Sequence, residues 1–388
     1  MSERLSVAVV GGGIGGLSAA NALVRHGVDV TVFEQAAQLG EVGAGVMTTP
    51  NSIRLLSRMG FGAEIERLGV RITDESAYMR LDGSKVGPIK TGDTSGEYGV
   101  CGMHRADLLS ILASGLPGDA VRAGHQCVGF SQDAEKARLF FANGAEFEAD
   151  AVVAADGIHS RLQREAVEPA EPVFSGMVAY RGLVAADRVP GWHRDVHLVW
   201  MGEGKHFMVF PVRSGTLLNF VGFLPSDYPA RESWSGHGDA AALAAAFAGW
   251  DPRVETLLAQ VENPFWWGLF DREPLPRWTN GRLGLLGDAA HAMLPHLGQG
   301  ANQSIEDGVA LASLLAASDR AAVPSALAAY ESLRRPRAVK VQLGSRANGR
   351  RYDSQYTDLA KRDAEIADAA TLRAWLYDYD VEKDLAAR

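Results

Sequence analysis

The stretch "AVVGGGIGGLSAANAL" (residues 8–23) sets five glycines between an apolar run and a segment with helical periodicity. It admits three interpretations: the core of a secretory signal, a tight structural turn, or a cradle for a phosphate group. A cleaved signal has an unbroken apolar core followed by a short cleavage site. Here glycines interrupt the run, and the chain continues into a patterned helix and a second apolar strand. We therefore expect no cleaved signal.

The residues around these glycines follow the order of a βαβ unit. Residues 5–10 predict a buried strand, residues 11–16 a turn, and residues 17–26 a helix whose apolar residues recur on one face. Gly27 is a natural helix stop, and "VDVTVFE" (28–34) predicts a second strand. The whole spans about thirty residues, which is the size of one βαβ unit.

Three of the glycines, Gly11, Gly13 and Gly16, form the pattern G-x-G-x-x-G between the strand and the helix. The first permits the turn, the second lets the backbone approach a pyrophosphate, and the third lets helix and strand pack closely. Glu34 ends the second strand, where a carboxylate accepts hydrogen bonds from a ribose. This context favours dinucleotide binding over a plain turn, although the motif alone does not separate NAD from FAD.

The composition excludes several classes of function. With 388 residues, the chain is long enough for two or three domains. Its net charge of −9 shows no excess of the basic residues that are typical of nucleic-acid binding. No apolar run of about 18 residues suits a membrane span. The two cysteines, Cys101 and Cys127, fit neither a disulfide scaffold nor a metal site. We expect a protein of the reducing cytoplasm.

Two further apolar strands run into acidic–glycine steps. "ADAVVAADG" (149–157) ends at Asp156-Gly157, and "GRLGLLGDAAH" (281–291) passes through Gly287-Asp288. Strands that are apolar at nearly every position are covered on both faces. Between about 170 and 225, short aromatic and β-branched segments instead predict an antiparallel sheet. The fold class is therefore α/β with an inserted β-rich section.

Four motifs in this order resemble the single-component FAD-dependent aromatic hydroxylases (group A flavoprotein monooxygenases), which include the salicylate, 6-hydroxynicotinate and 3-hydroxybenzoate hydroxylases. They are "GGGIGGLSAANAL", "HRADLL", "VVAADGIHSRLQ" and "GRLGLLGDAAHAMLPHLGQGANQSIEDG", within a similarity that covers about residues 5–340. The resemblance implies a p-hydroxybenzoate hydroxylase-like fold, in which a Rossmann-like FAD-binding domain carries an inserted antiparallel β-sheet substrate domain and C-terminal helices. The domains expected are 1–72 with 99–168 and 280–340 for FAD, 73–98 with 169–279 for substrate, and a helical segment at 341–388.

The resemblance also implies which residues hold a tightly bound FAD. Arg105 matches the family's FAD-facing arginine, Asp288 the aspartate near the ribityl and pyrophosphate groups, and Pro295 a catalytic proline beside flavin and substrate. The sequence contains no second G-x-G-x-x-G, and the resemblance implies that NADH or NADPH binds transiently, without a Rossmann domain of its own. The expected cofactor-binding residues are Gly11, Gly13, Gly15, Gly16, Glu34, Gln35, Arg105, Asp156, Asp288, Gly298, Gly300, Ala301 and Asn302.

The strand "KHFMVFPVR" (205–213) carries the expected substrate contacts. By strand alternation, His206, Met208 and Phe210 share one face. In relatives a histidine matching His206 faces the substrate hydroxyl, often with a tyrosine four residues later, where this chain has Phe210. A histidine that titrates near neutrality can accept the phenol proton. We expect His206 to be catalytic, and His206, Met208, Phe210 and Arg181 to bind substrate. The alternatives are a partly buried structural histidine at His206, and sheet-edge packing or a cofactor contact at Arg181.

The sequence thus predicts an FAD-dependent monooxygenase that uses NAD(P)H and O2 to hydroxylate a hydroxy- or amino-substituted aromatic acid, through the family's flavin C4a-hydroperoxide. Decarboxylation accompanies attack at the carboxylate-bearing carbon. The open alternatives are an FAD-dependent dehydrogenase or reductase without oxygen transfer, an NAD dehydrogenase, and a non-enzymatic nucleotide-binding module. His291 and His296 are expected to be structural. Met47, Trp200 and Phe223 are candidate pocket walls, with core packing as the more common role of such side chains. We expect a monomer or homodimer with no bound metal, no nucleic acid and no membrane partner.

Overall fold

A computed structural model describes residues 4–40, 44–168, 171–226, 236–354 and 359–387. The strands are β1 Ser6–Val10, β2 Asp29–Phe33, β3 Gly45–Thr48, β4 Val70–Arg71, β5 Ala77–Arg80, β6 Lys85–Pro88, β7 Cys101–His104, β8 Val121–Arg122, β9 Cys127–Gln132, β10 Ala137–Phe141, β11 Glu146–Ala149, β12 Ala151–Ala154, β13 Val173–Ala185, β14 Leu198–Gly202, β15 Lys205–Val212, β16 Leu217–Pro225, β17 Gly236–His237, β18 Phe265–Asp271, β19 Thr279–Asn280 and β20 Leu283–Leu285. The α-helices are α1 Ile14–Arg25, α2 Pro50–Arg58, α3 Gly62–Leu68, α4 Arg105–Ser114, α5 Gln163–Ala166, α6 Ala240–Ala246, α7 Pro252–Leu258, α8 Asp288–His291, α9 Gly300–Ala316, α10 Val323–Tyr352, α11 Leu359–Tyr377 and α12 Val381–Ala386.

A six-stranded sheet with the order β19-β20-β12-β1-β2-β8 forms the first half of the fold. All pairings between β20 and β8 are parallel, and only β19 joins antiparallel. Val10 is in register with Ala154, which in turn is in register with Leu285. The turns that follow β1, β12 and β20 therefore meet at one edge of the sheet, where open parallel sheets bind their ligands. The predicted βαβ unit and the two later apolar strands are confirmed.

An eight-stranded sheet with the order β17-β18-β13-β16-β15-β14-β5-β6 forms the second half. It is antiparallel except for the pairing of β14 with β5, as the short aromatic and β-branched segments of the sequence predict. Its two faces differ along β15. Phe207 and Val209 pack in a core with Leu243 of α6, whereas Met208 and Phe210 point to the interior cavity described below. The alternation along the strand therefore separates core from cavity wall.

The C-terminal residues form the predicted helices, but one of them runs through an expected domain boundary. Helix α10 spans residues 323–352 without interruption, so the boundary expected at 340 falls inside a single helix. Helices α11 and α12 fold back on the first half, where Arg54 of α2 donates to the carbonyl oxygen of Tyr379 at 2.6 Å. Within the part of the chain that the structure describes, no helix is both long and apolar enough to cross a membrane.

Candidate active site

The three glycines of the first turn play different structural roles. Gly11 has φ 113°, and a Cβ there would collide with the carbonyl group of Ala155 on the neighbouring turn. At Gly16 a Cβ would collide with the carbonyl oxygen of Gly11. At Gly13, the residue that caps α1, no described atom lies within 4 Å of the Cβ position. Packing therefore requires the first and third glycines, while the second faces open space at a helix N-terminus, which suits a pyrophosphate.

Glu34 lies beside this cradle and is held by the backbone. Its Oε2 accepts a hydrogen bond from the amide of Gly12 at 2.8 Å, and its Oε1 accepts one from the amide of Ala36 at 2.8 Å. Each carboxylate oxygen keeps a second lone pair that can accept a ribose hydroxyl. Glu34 and its exposed neighbour Gln35 line a groove of about 940 Å³ that runs from the cradle.

The turn after β12 forms the opposite wall of the groove. Asp156 Oδ2 accepts from the amide of Arg161 at 2.9 Å, whereas its buried Oδ1 has no hydrogen-bond partner among the described residues. Burial raises the pKa of this carboxyl group above its usual value, and the hydrogen bonds of the turn oppose the shift. Gly157 follows with φ 81°. Asp156 and Gly157, together with Arg105 at the start of α4, face the cofactor groove.

Buried ion pairs hold the turn that follows β20 in place. Asp307 of α9 accepts from the amide of Gly287 at 3.2 Å and contacts His291 Nε2 at 2.5 Å and Arg334 Nε at 2.8 Å. Burial raises the pKa of Asp307, but His291 and Arg334 outweigh it and hold the pKa below its usual value. These contacts hold the turn in a position from which Asp288 lines the cavity. His291 therefore has a structural role.

The loop of residues 295–300 lines the interior cavity and leads into α9. Gly298 adopts the left-handed region at φ 64° with no described atom near its Cβ position, and α9 begins at Gly300. Asn302 follows, but its side chain is fully engaged within the protein. Its Oδ1 accepts from Thr49 N and Ser52 Oγ, and its Nδ2 donates to the carbonyls of Met47 and Gly298, at 2.5–2.9 Å. An amide has no further donor to offer, so Asn302 positions the loop rather than binding the cofactor through its side chain.

A second cavity of about 330 Å³ continues from the groove into the interior between the two sheets. Gly13, Arg105 and Gly157 line both spaces. The path therefore runs from Glu34 past the open helix N-terminus and Asp288 into a mainly apolar space. These features fit the successive ribose, pyrophosphate and ring portions of FAD. The expected cofactor residues in the second cavity are Gly13, Gly15, Arg105, Asp288, Gly298, Gly300 and Ala301, with Pro295 beside them.

The inner end of the cavity has aromatic and apolar walls. Met208, Phe210 and Phe223 line it, as does Met47. Arg181 also lines it, with its guanidinium 4.5 Å from the ring centre of Trp267. Trp200 has the core-packing role instead, because it is fully buried on the opposite face of the sheet and donates its indole N–H to Asp251 at 2.8 Å.

His206 also differs from the expectation, because it lies one ring behind the cavity wall. Its ring stacks on Phe223 at 4.0 Å and lies 5.3 Å from His296 and 5.1 Å from Tyr352, all of which line the cavity. Its Nδ1 contacts Asp353 Oδ1 at 2.5 Å, while Nε2 has no partner among the described residues. The carboxylate therefore favours the tautomer whose lone pair is on Nε2.

Several cavity residues escape prediction from the sequence. His197, which precedes β14, Asn219 of β16, and Tyr352 and Arg373 of the C-terminal helices all line the cavity, as does His296, which was expected to be structural. The amide of Asn219 accepts from Gly45 N at 2.7 Å, and its Nδ2 has no described partner. No local motif marks these positions, because β-sheet register and helix packing bring them together.

The comparisons with known proteins agree with this geometry. The FAD binding domain family matches residues 4–344. The chain is 38% identical to the 3-amino-4-hydroxybenzoate 2-monooxygenase PtmB3 of Streptomyces platensis, over 98% of this chain and 97% of that protein. It superimposes on a salicylate hydroxylase–substrate complex with a TM-score of 0.85 and 30% identity, over 98% of this chain and 97% of the other. It also superimposes on Klebsiella pneumoniae HpxO, complexed with FAD and uric acid, with a TM-score of 0.79 and 26% identity, over 100% and 96% of the two chains.

The fold and the groove thus define an FAD-binding flavoprotein. Within that class, the chain belongs to the family of FAD-dependent aromatic monooxygenases.

Proposed function

We propose that this enzyme hydroxylates the ring of an aromatic acid that carries a hydroxyl or amino group, and that it consumes NADH or NADPH and O2. The observation that carries the proposal is the continuity of the cofactor groove with an interior, aromatic-walled cavity. A carboxylated ring is favoured because relatives are named for 3-amino-4-hydroxybenzoate and salicylate. Besides Arg105, the same cavity is lined by Arg181 and Arg373. Two buried, unpaired cysteines are consistent with the cytoplasmic site expected from composition.

Bound FAD supplies the reduced flavin that activates dioxygen. The protein provides the surroundings for that chemistry. The N-terminus of α9, a 17-residue helix, begins at Gly300 on the cavity wall and favours negative charge there. Leu294, Pro295 and Phe223 surround the same space with apolar surface, which excludes water and strengthens the electrostatic interactions inside.

His206 is proposed to receive the proton of the substrate's ring substituent. A ring that has lost this proton is a stronger nucleophile toward electrophilic oxygen. His206 has a free lone pair at Nε2 and a carboxylate at Nδ1, which is the arrangement of an oriented general base. Because it lies behind the wall, the proton reaches it through His296, whose ring lies 5.3 Å away and borders the cavity. Asp353 then stabilises the imidazolium.

A substrate panel tests the proposed function. Purified flavin-loaded enzyme is mixed under air with benzoates that carry an ortho or para hydroxyl or amino group, in the presence of NADH or NADPH. We expect at least one acid to stimulate the oxidation of NADH or NADPH and to yield a product with one added oxygen, detected by mass spectrometry. Oxidation of an acid without gain of oxygen would identify a dehydrogenase, and a panel without any hydroxylated product would contradict the proposal.

A further inference from the structure

Arg373 of α11 reaches the cavity within a cluster of three phenols, Tyr78, Tyr352 and Tyr377, which we call the tyrosine–arginine cluster. Its Nη2 donates to Tyr78 at 2.8 Å and to Tyr352 at 3.3 Å, and its Nη1 donates to Tyr377 at 3.2 Å. The side chain of Tyr352 donates to Tyr78 at 3.2 Å. The phenols fix the orientation of the guanidinium, and Arg373 and Tyr352 border the cavity.

The cluster contains a buried positive charge without a matching anion. Arg373 is 6% exposed, and no described carboxylate lies within ion-pair distance of it. Three other buried arginines are ion-paired, because Arg334 and Arg337 contact Glu306 and Arg54 contacts Asp93. Burying a cation without its counter-ion is costly, and arginine does not lose its proton to avoid that cost. The phenol oxygens offset part of it, and an anion in the cavity would supply the rest.

His197 adds a second unpaired polar group to the same cavity. It is 5% exposed, and neither ring nitrogen has a hydrogen-bond partner in the described part of the chain. Burial, with a smaller contribution from the positive charge of Arg373, lowers the pKa of His197 to about 3. The ring is therefore neutral and offers one donor and one acceptor. Such a group, left unpaired by the fold, is available to a ligand.

We propose that Arg373 and His197 form the carboxylate-binding subsite of the cavity. Arg373 binds the carboxylate of the aromatic acid, and His197 donates its N–H to that carboxylate and accepts from a neighbouring O–H or N–H of the ligand. The proposal rests on the proposed function for its substrate class. It assigns the recognition of charge to the C-terminal helices rather than to the sheet.

Binding of matched acids and amides tests the subsite. Calorimetry measures the affinity of the flavin-loaded enzyme for 3-amino-4-hydroxybenzoate, salicylate and the corresponding benzamides. The wild type is expected to bind its preferred acid on the order of 100-fold more tightly than the amide, the usual scale for a buried charged pair. In Arg373→Met this preference is lost because the acid binds more weakly, while affinity for the amide changes little. His197→Phe weakens acid binding by about tenfold, as for a hydrogen bond to a charged group.

The matched control is Arg362→Met. Arg362 is another buried arginine of α11, but it pairs with Asp363 and does not line the cavity. This control is expected to keep the wild-type preference, and FAD content and thermal unfolding report whether each variant is intact. A wild type that binds acid and amide equally overturns the subsite without any variant. If the wild type hydroxylates an acid and Arg373→Met still binds that acid more tightly than its amide, the subsite alone is overturned. If the wild type binds no acid, the proposed substrate class is overturned as well.

Discussion

Substitution of Gly13 by alanine separates cofactor binding from folding. Gly13 has φ −77° and ψ −178°, an extended conformation that alanine adopts freely, and no described atom lies within 4 Å of its Cβ position. The apoprotein of Gly13→Ala is therefore expected to stay within about 1 kcal/mol of the wild type in stability, since alanine restricts the unfolded chain but caps a helix less well than glycine. The new methyl group instead occupies the space where the pyrophosphate would approach the first turn of α1.

The Gly13→Ala variant is expected to bind FAD more weakly than the wild type. Displacing the pyrophosphate weakens at least one hydrogen bond from a backbone amide to a charged group, which is worth about 1.5–3 kcal/mol. A loss of about 2 kcal/mol corresponds to a dissociation constant about 30-fold higher. Quenching of flavin fluorescence during titration with apoprotein measures this constant. Chemical denaturation of the apoprotein measures the free energy of unfolding.

Two further glycine substitutions make the result specific. Gly16→Ala forces a Cβ against the carbonyl oxygen of Gly11 and should destabilise the apoprotein itself by at least about 1–3 kcal/mol, the range for overpacking. Gly118→Ala is the matched control, because its Cβ position is also open but lies outside both cavities. Wild-type FAD affinity in Gly13→Ala, or destabilisation of its apoprotein comparable with that of Gly16→Ala, would refute the assignment of this turn to the pyrophosphate.

Three other substitutions test the surroundings of the cavity. Asp307→Asn removes a buried ion-pair partner and should lower the free energy of unfolding by about 3–5 kcal/mol in denaturant titrations. Because His291 and Arg334 hold the pKa of Asp307 below its usual value against the effect of burial, the wild type should lose this stability as the pH falls below about 4. The free energy of unfolding of the variant should therefore fall less with acid than that of the wild type. Asn302→Leu leaves its partners unpaired and should weaken FAD binding as well as lower the melting temperature, so an unchanged FAD affinity would contradict the loop-positioning role. His206→Gln should lower kcat on the order of 100-fold with KM little changed, and a kcat within twofold of the wild type would remove His206 from the proton path.

The sequence was sufficient for the elements whose signals are local. The glycine turn, the apolar strands and the alternation of Met208 and Phe210 follow from patterns over a few residues, and the structure confirms them. His206 shares that strand face, yet its ring packs against Phe223 and His296, which belong to other elements. Strand alternation does not describe such neighbours. Alternation gives the face of a sheet and leaves open which residue on that face borders a cavity.

The residues missed were those placed by long-range packing. Arg373 meets Tyr78 across 295 positions of the chain, and the charged pattern of its helix resembles an ordinary solvated face. His197 is a single histidine before an apolar strand, without a motif around it. At Asn302 the geometry adds a role that the motif does not reveal, because its side-chain amide commits all of its hydrogen bonds to the protein and leaves only the backbone to face a cofactor.

The central claim is oxygen transfer to an aromatic ring, and isotope incorporation tests it most directly. The flavin-loaded enzyme turns over its best acid from the panel under ¹⁸O₂ in ordinary water, and the product is analysed by mass spectrometry beside the amount of NAD(P)H oxidised. We predict one ¹⁸O atom in the new ring hydroxyl for each NAD(P)H consumed in productive turnover, and no label when ¹⁸O is supplied as water. A product that takes its oxygen from water, or that forms without any new oxygen, would contradict the account.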